Sequence, residues 1–277
     1  TYLLQAVNGP LARTLTDTVL MENVIAGPSP YSPSTIRPTV ELPTNFPGIK
    51  GWRIAYDMDQ SWAEIDPDVV KNTQAALKVL QSQGAIVEEV DLKLGMTQAE
   101  LKLVFMKALL AGVLGPDLVS LVEVKDQLTT YAKYYVEVAA SQVNPRNARE
   151  ASDAIHKIYR QLQDTVFLKG YQALIVPTLA TSRVPADFDN TKSKLQINGR
   201  EVDPDVGWFL TPLFNLCNWN PVVAVPTGLA SNHVPTGMQV VARTFDDATA
   251  FQVAAAYARA APQLYTGDRF PDFRDAD

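Results

Sequence analysis

The sequence predicts an α/β fold in which a mixed, mostly buried sheet is flanked by helices and carries a helical insertion. The first supporting observation is a strand–helix–strand unit that spans residues 52–90. The second is a set of bounded apolar segments of strand length, and these lie at 173–177, 222–226 and 238–242. The third is the helical pattern of residues 97–170, which we interpret as an insertion within one α/β domain over 1–277.

The strand–helix–strand unit has clear local signals. Residues 52–56 and 85–90 are β-rich, and between them Asp66-Pro67 offers a helix cap followed by proline at the first helical position. Gly84 ends this helix. Two strands joined in this way pair in parallel with a right-handed crossover.

The insertion divides at two breaks. Thr97 to Glu100 fits a capping box, and Gly115-Pro116 and Asn144-Pro145 interrupt the helical pattern. The sequence therefore predicts three helices, near 97–114, 117–140 and 145–169.

The remaining segments are simpler. A helix over 14–26 is apolar over a wide arc, so we expect it to be buried. Residues 28–50 hold many prolines, which favours an extended strap. Residues 178–206 form a loop with a small hairpin at Asn198-Gly199, and the strands at 222–226 and 238–242 can pair antiparallel. A helix follows over 246–260.

Composition excludes several classes of protein. The chain has 277 residues, 47% of them apolar, and 24 basic against 30 acidic side chains give a net charge of −6. We therefore expect no nucleic-acid partner, and no apolar stretch approaches the ~18–20 residues of a membrane span. A single cysteine and two histidines argue against a disulfide and a metal centre. The chain starts at Thr1 without an export signal, so the cytoplasm is the default compartment.

Common catalytic signatures are missing from the sequence. Neither glycine-rich phosphate motif is present, so no cofactor is expected, and no serine lies in G-x-S-x-G or S-x-x-K. Cys217 with His156 or His233 could form a thiol–imidazole pair, but a buried, inert cysteine is the better interpretation. We assign no catalytic residue within the chain.

Three stretches carry a more specific pattern. The first is G-P-x-A-R-T-x-x-D over 9–17, and the second is the strand that ends Val176-Pro177-Thr178. The third runs from Thr211 to Val241 and includes Val225-Pro226. Strands that end in Pro-Thr place polar groups at the edge of a sheet, where α/β folds bind ligands.

In order and spacing, these stretches resemble the carboxyl-terminal portion of the amidase signature family. The resemblance implies hydrolysis of a carboxamide C–N bond by a Ser–Ser–Lys site, with backbone amides that stabilise the oxyanion. Those residues would lie upstream of Gly9. The chain is thus expected to be a carboxyl-terminal fragment, inactive alone. Its implied partners are a small amide substrate and the missing amino-terminal half of the same enzyme, and a homodimer is also compatible with the resemblance.

The resemblance also implies site residues. The candidates for the substrate pocket are Trp208, Thr211, Asn215 and Cys217, and the candidates for structural support are Arg13, Asp17 and Gln239. Trp208 occupies a position where glutamine-using relatives carry an acid. This favours an apolar or aromatic acyl or amine group over a polar amino acid.

Two other functions remain open at this point. Thr1 could act as an N-terminal nucleophile with its own amine as the base. Alternatively, the chain could be a non-enzymatic module that closes on a small ligand, which a ligand-dependent thermal shift would reveal.

Overall fold

The computed structural model describes residues 8–31, 35, 37–113 and 115–262. Its helices are α1 (Leu15–Ile25), α2 (Pro67–Ser82), α3 (Gln98–Lys107), α4 (Gly115–Val119), α5 (Thr130–Gln142), α6 (Pro145–Thr165), α7 (Pro212–Leu216) and α8 (Asp247–Ala260). Its strands are β1 (Arg53–Tyr56), β2 (Ile86–Glu89), β3 (Ala173–Pro177), β4 (Leu195–Ile197), β5 (Arg200–Val202), β6 (Val222–Leu229) and β7 (Pro235–Ala242). Thr1, the proposed nucleophile, and residues 32–34 and 36 of the strap lie outside the described part.

The main sheet has the strand order β2-β1-β3-β7-β6. β1 pairs in parallel with β2 and β3, whereas β7 pairs antiparallel with β3 and β6. The predicted α/β class, the parallel strand–helix–strand unit and the antiparallel final pair are therefore confirmed. β4 and β5 form a separate hairpin at the expected place.

Helices cover both faces of this sheet. On one face, α2, α8 and one residue of α1 pack against alternate side chains of β1, β3, β6 and β7. On the other face, α3, α6 and α7 pack against the intervening side chains. Every residue of β3 is buried, because this strand lies in the middle of the sheet with helices on both sides.

The expectation that α1 is buried is wrong. Only Val19 of this helix is buried, and the side chain of Val24 is 77% exposed. α1 contacts α8 along one narrow stripe, and no other described residues cover the rest of its apolar surface. The sequence pattern records which side chains are apolar but not what packs against them.

The insertion also differs in detail from the prediction. α3 ends at Lys107 and continues as a π-helix over Ala108–Val113. The single helix predicted over 117–140 is instead α4, a 3-10 helix over Val122–Gln127, and α5. The Thr129 side chain accepts a hydrogen bond from the Ala132 N–H, and this cap begins α5. None of the described helices is long and apolar enough to span a membrane.

Candidate functional site

The candidate site is built on a short segment, Trp208-Phe209-Leu210-Thr211, that runs beside the chain leaving β3. The Ala180 N–H donates to the Trp208 carbonyl (2.8 Å), and the Leu210 N–H donates to the Thr178 carbonyl (3.0 Å). This antiparallel pairing places residues 208–211 at the carboxyl ends of β1 and β3. In α/β folds this edge of the sheet is where ligands bind. We refer to residues 208–211 as the wall segment.

Gln239 contacts the wall segment directly. It is buried on β7, and its Nε2 donates to the Pro177 carbonyl (3.0 Å) and to the Leu210 carbonyl (3.4 Å). The residue that the sequence analysis named as structural support therefore joins β7, β3 and the wall segment.

Trp208 is half-buried at the start of the wall segment. Its indole Nε1 donates to the Pro204 carbonyl (3.3 Å), and its ring meets Phe209 edge to face at 5.2 Å between centroids. Just before it, the Gly207 N–H donates to the Asp203 carbonyl (2.8 Å) and closes a tight turn. The position of the Trp208 side chain is thus fixed by the hydrogen bond of its Nε1 and by the contact of its ring with Phe209.

The other pocket candidates lie on or next to α7. The Thr211 carbonyl accepts from the N–H groups of Phe214 and Asn215, each at 3.1 Å. Asn215 is exposed, whereas Cys217 is fully buried in the core beneath the helix. Burial raises the pKa of the Cys217 thiol to about 12, so the thiol stays protonated and is not a nucleophile.

The two histidines do not form a pair with this cysteine. His156 is exposed on α6, and its Nδ1 lies 2.8 Å from the Ser152 carbonyl oxygen. His233 is exposed in the turn between β6 and β7. The structure therefore contradicts the thiol–imidazole hypothesis and agrees with the interpretation of Cys217 as a buried, inert residue.

Arg13 and Asp17 lie at the start of α1. The Thr14 hydroxyl accepts from the Asp17 N–H (3.1 Å) and donates to the Asp17 carboxylate (2.7 Å), which caps the helix. Arg13 is exposed. α1 packs on the face of the sheet opposite to α7. The structure thus does not bring Arg13 and Asp17 to the wall segment.

Two residues that the sequence analysis missed complete this region. Asp57 directly follows β1, and its carboxylate accepts from the N–H groups of Gln60 (2.7 Å), Leu92 (2.9 Å) and Asp59 (3.1 Å). Burial raises the pKa of Asp57 to about 6, even though these hydrogen bonds act in the opposite direction. Gln60 is fully buried, and its Nε2 donates to the Leu210 carbonyl (2.7 Å). The sequence signal that could have identified them is the polar run of residues 57–61, which directly follows the parallel strand β1.

A charged cluster lies next to the wall segment. Lys102 Nζ bonds to both carboxylate oxygens of Asp203 (2.9 and 3.1 Å) and lies 3.5 Å from Asp205 Oδ2. Burial disfavours the charge of Lys102, but its bond to Asp203 and the two carboxylates outweigh this, so the pKa of Lys102 is raised. The Tyr135 hydroxyl donates to Asp205 Oδ1 (2.7 Å). The cluster therefore holds a protonated lysine, which cannot act as a base.

Two depressions lie beside this cluster. One is a narrow apolar cleft that includes Trp62, Phe105 and Pro212. The other is an open groove of about 380 Å³ that shares Trp62 and is lined by polar residues such as Asp59. The first cleft reaches the start of α7, where Pro212 lines it. Trp208 and Thr211 line neither depression. The described residues contain no group of three His, Cys, Asp or Glu side chains placed to hold a metal ion.

Comparison with known proteins gives a consistent result. The family model described as Amidase matches residues 3–251. An acylamidase of Rhodococcus erythropolis is 26% identical over 267 residues, which cover 93% of this chain and 53% of that protein. A glutamyl-tRNA(Gln) amidotransferase subunit from Brevibacillus brevis is 25% identical over 91% of this chain and 54% of its own length.

The fold agrees with these relatives. The crystal structure of a bacterial aryl acylamidase of the amidase signature family superposes with a TM-score of 0.79 at 22% identity, covering 92% of this chain and 53% of that one. The chain thus spans about half the length of the proteins that it matches. Because the family model covers nearly the whole sequence, the resemblance seen in the motifs is confirmed: the chain belongs to the amidase family.

Proposed function

We propose that this chain supplies the scaffold and part of the substrate recess of an enzyme that hydrolyses carboxamide C–N bonds. The bond-breaking groups come from polypeptide outside the 277 residues. They are a serine that attacks the carbonyl, and a second serine and a lysine that relay its proton. Backbone amides stabilise the oxyanion. The chain by itself is then inactive.

The open edge of the sheet is the observation that carries this proposal. Within the part of the chain that the structure describes, β6 pairs only with β7, and its residues Val222 and Leu229 are 37% and 49% exposed. The apolar side of α1, with Leu20 and Val24, is exposed as well. α1 and β6 both contact α8. An unpaired strand edge beside exposed apolar side chains favours packing against further polypeptide.

The remaining half of an amidase is the occupant that we propose for this surface. The matched relatives carry about as much chain again as the part that aligns here, 53% of the acylamidase being covered. A segment of that size could extend the sheet beyond β6 and cover α1. Pairing of two copies of this chain through β6 is the competing arrangement, and it would be seen as a concentration-dependent dimer.

The wall segment supports a substrate with an apolar or aromatic group. Trp208 presents a half-buried indole next to Phe209 and packs against an apolar cluster that includes Ala180 and Leu210. The name of one matched structure, a bacterial aryl acylamidase, agrees with such a substrate. We therefore propose anilides and related aryl amides as the substrate class.

The proposal is tested by reconstitution. The coding sequence upstream of Thr1 is determined, and the polypeptide it encodes is expressed with and without this chain. We expect hydrolysis of p-nitroacetanilide only when both polypeptides are present, together with loss of activity when the upstream serines or lysine are replaced.

A pair of variants tests whether the exposed side of α1 is the surface that binds the upstream polypeptide. Val24→Lys places a charge on the exposed side of α1, where it should leave the folded chain as stable as before but weaken assembly. Ser152→Lys, on the exposed side of α6, is the control and should leave assembly unchanged. Turnover by the 277-residue chain alone, or an upstream sequence without a serine and lysine, would refute the proposal.

A further inference from the structure

We infer that Gln60 is a positioning residue whose carboxamide fixes the wall segment, and that it thereby sets the shape of the recess for the amide substrate. The second half of this inference rests on the proposed function, whereas the first half stands on the geometry of the described residues. Gln60 lies 150 positions before Leu210 in the sequence, and no motif connects them.

The turn after β1 is built to hold Gln60. Gln60 and Ser61 both have positive φ, 54° and 66°, a region of backbone conformation that residues other than glycine adopt at a cost. The Asp57 carboxylate accepts the Gln60 and Asp59 N–H groups, and the Asp59 carboxylate accepts the Ser61 N–H (2.8 Å). These hydrogen bonds stabilise a strained turn that directs one side chain into the protein.

The Gln60 carboxamide makes one hydrogen bond with the described residues. Its Nε2 donates to the Leu210 carbonyl at 2.7 Å, whereas its Oε1 has no hydrogen-bond partner among the described residues. Burying a carboxamide with one end unsatisfied costs free energy. The fully buried carboxamide of Gln60 therefore depends on its hydrogen bond to Leu210. The strained turn places Gln60 where it can make this bond.

Leu210 is the point at which the wall segment is fixed. Its carbonyl accepts from both Gln60 and Gln239, and its N–H donates to the Thr178 carbonyl. The backbone of Leu210 is thus held by a side chain from the turn after β1, by the residue that follows β3 and by a side chain of β7. The bond from Gln60 is the shorter of the two carboxamide bonds, at 2.7 Å against 3.4 Å.

The start of α7 needs this external support. Thr211 occupies the N-cap position but makes no capping hydrogen bond with its side chain, and Pro212 has no N–H. α7 is five residues long, so it has little stability of its own. The positions of Thr211 and Asn215 consequently follow from where the Leu210 peptide is held.

Hydrogen exchange of the 277-residue chain tests the positioning role. Gln60→Met keeps a similar volume but removes the donor. We expect the amides of Leu210 and Ala180 to exchange faster by about fivefold, the factor that corresponds to a bond contributing about 1 kcal/mol. Unchanged exchange at both amides in a folded Gln60→Met chain would overturn the inference.

Gln172→Met is the matched control. The Gln172 side chain also makes a carboxamide bond to backbone of β1, its Oε1 accepting from the Arg53 N–H (2.7 Å), but at the other end of that strand. If Gln60 contributes only to general stability, both variants should change amide exchange at Leu210 and Ala180 to the same extent. Positioning predicts that only Gln60→Met changes exchange at Leu210 and Ala180.

A second variant covers the case in which Gln60→Met does not fold. In Gln60→Glu, the protonated carboxyl can donate to the Leu210 carbonyl, whereas the ionised form cannot. We expect exchange at Leu210 to match the wild-type chain at acid pH and to exceed it as pH rises through the pKa of the new glutamate. Equal exchange at all pH values would overturn the inference.

The reconstituted enzyme tests the link to the substrate. Gln60→Met is expected to raise KM for p-nitroacetanilide more than it lowers kcat, and Gln172→Met to change neither. If exchange changes as expected but no reconstituted activity exists, the proposed function fails and the positioning role stands. If activity exists and Gln60→Met leaves both constants unchanged, the role of Gln60 in shaping the recess is refuted.

Discussion

Replacement of Gly207 by alanine would test whether the turn before the wall segment is as tight as the structure shows. A Cβ atom at this position would lie 2.5 Å from the Asp203 carbonyl oxygen and 2.6 Å from the Asp203 nitrogen. Because both atoms belong to the backbone, no side-chain rotation can relieve the overlap. The turn over 203–207 must therefore open by about 0.5 Å, the difference between 2.5 Å and the 3.0 Å below which Cβ contacts essentially do not occur.

The expected loss of stability follows from this overlap. Overpacking of this kind costs typically about 1–3 kcal/mol, and rigid neighbours favour the upper part of that range. Alanine also reduces the entropy of the unfolded chain relative to glycine, which offsets about 0.4–1 kcal/mol. We therefore expect Gly207→Ala to lower the free energy of unfolding by about 2 kcal/mol.

Gly48→Ala provides the control, because a Cβ atom at Gly48 would have no neighbour within 4 Å and its φ lies outside the left-handed region. This variant should be unchanged or slightly more stable. Urea unfolding followed by far-ultraviolet circular dichroism measures both variants. If Gly207→Ala stays within about 0.5 kcal/mol of the wild-type chain, or if Gly48→Ala loses as much, the reasoning about this turn is refuted.

Three further predictions concern single side chains. At about pH 8, iodoacetamide should leave Cys217 unmodified in the native chain and alkylate it after unfolding, because burial raises the thiol pKa to about 12; rapid labelling of folded protein would contradict this. The pKa of Asp57 is raised from 3.8 to about 6, so the folded state binds this proton more tightly than the unfolded state and loses stability as pH rises from about 4 to 6. Urea unfolding across that range should show the difference in stability between the wild-type chain and Asp57→Asn shift by roughly 2 kcal/mol in favour of the variant. A constant difference would contradict the burial argument. Arg183→Met should lower stability by about 1–3 kcal/mol, because it leaves the buried Asp66 carboxylate without its cation, whereas Arg149→Met breaks only an exposed pair and should not change the melting temperature measurably.

Local signals in the sequence predicted most of the elements. The cap and proline at Asp66-Pro67 begin α2, and the apolar run of 173–177 is β3 with the same bounds. The prediction of where α3 ends was less accurate. A single helix was predicted over 97–114, but the α-helix ends at Lys107 and a π-helix follows. These features depend on residues within a few positions of one another, so a pattern in the chain is enough to find them.

The candidate site was only partly predictable. Gln239 was named as a support, and its contact with Leu210 agrees with that role, but Gln60 and Asp57 were not found. Arg13 and Asp17 were named as structural support, and the structure places them at the start of α1, away from the wall segment. The resemblance in motifs names stretches of chain, but it cannot tell which side chains from different stretches come together.

The sequence by itself determined the α/β class, the family and the order of the strands along the chain, because alternating patterns, caps and ordered motifs are written in neighbouring residues. Tertiary structure alone decided that the described residues leave most of the apolar surface of α1 exposed and that Cys217 is fully buried in the core. It also decided that the backbone of Leu210 is held by Gln60, Gln239 and Thr178. The physical reason is that burial and hydrogen bonding across 150 positions depend on how the layers pack, and packing is a property of the folded chain as a whole.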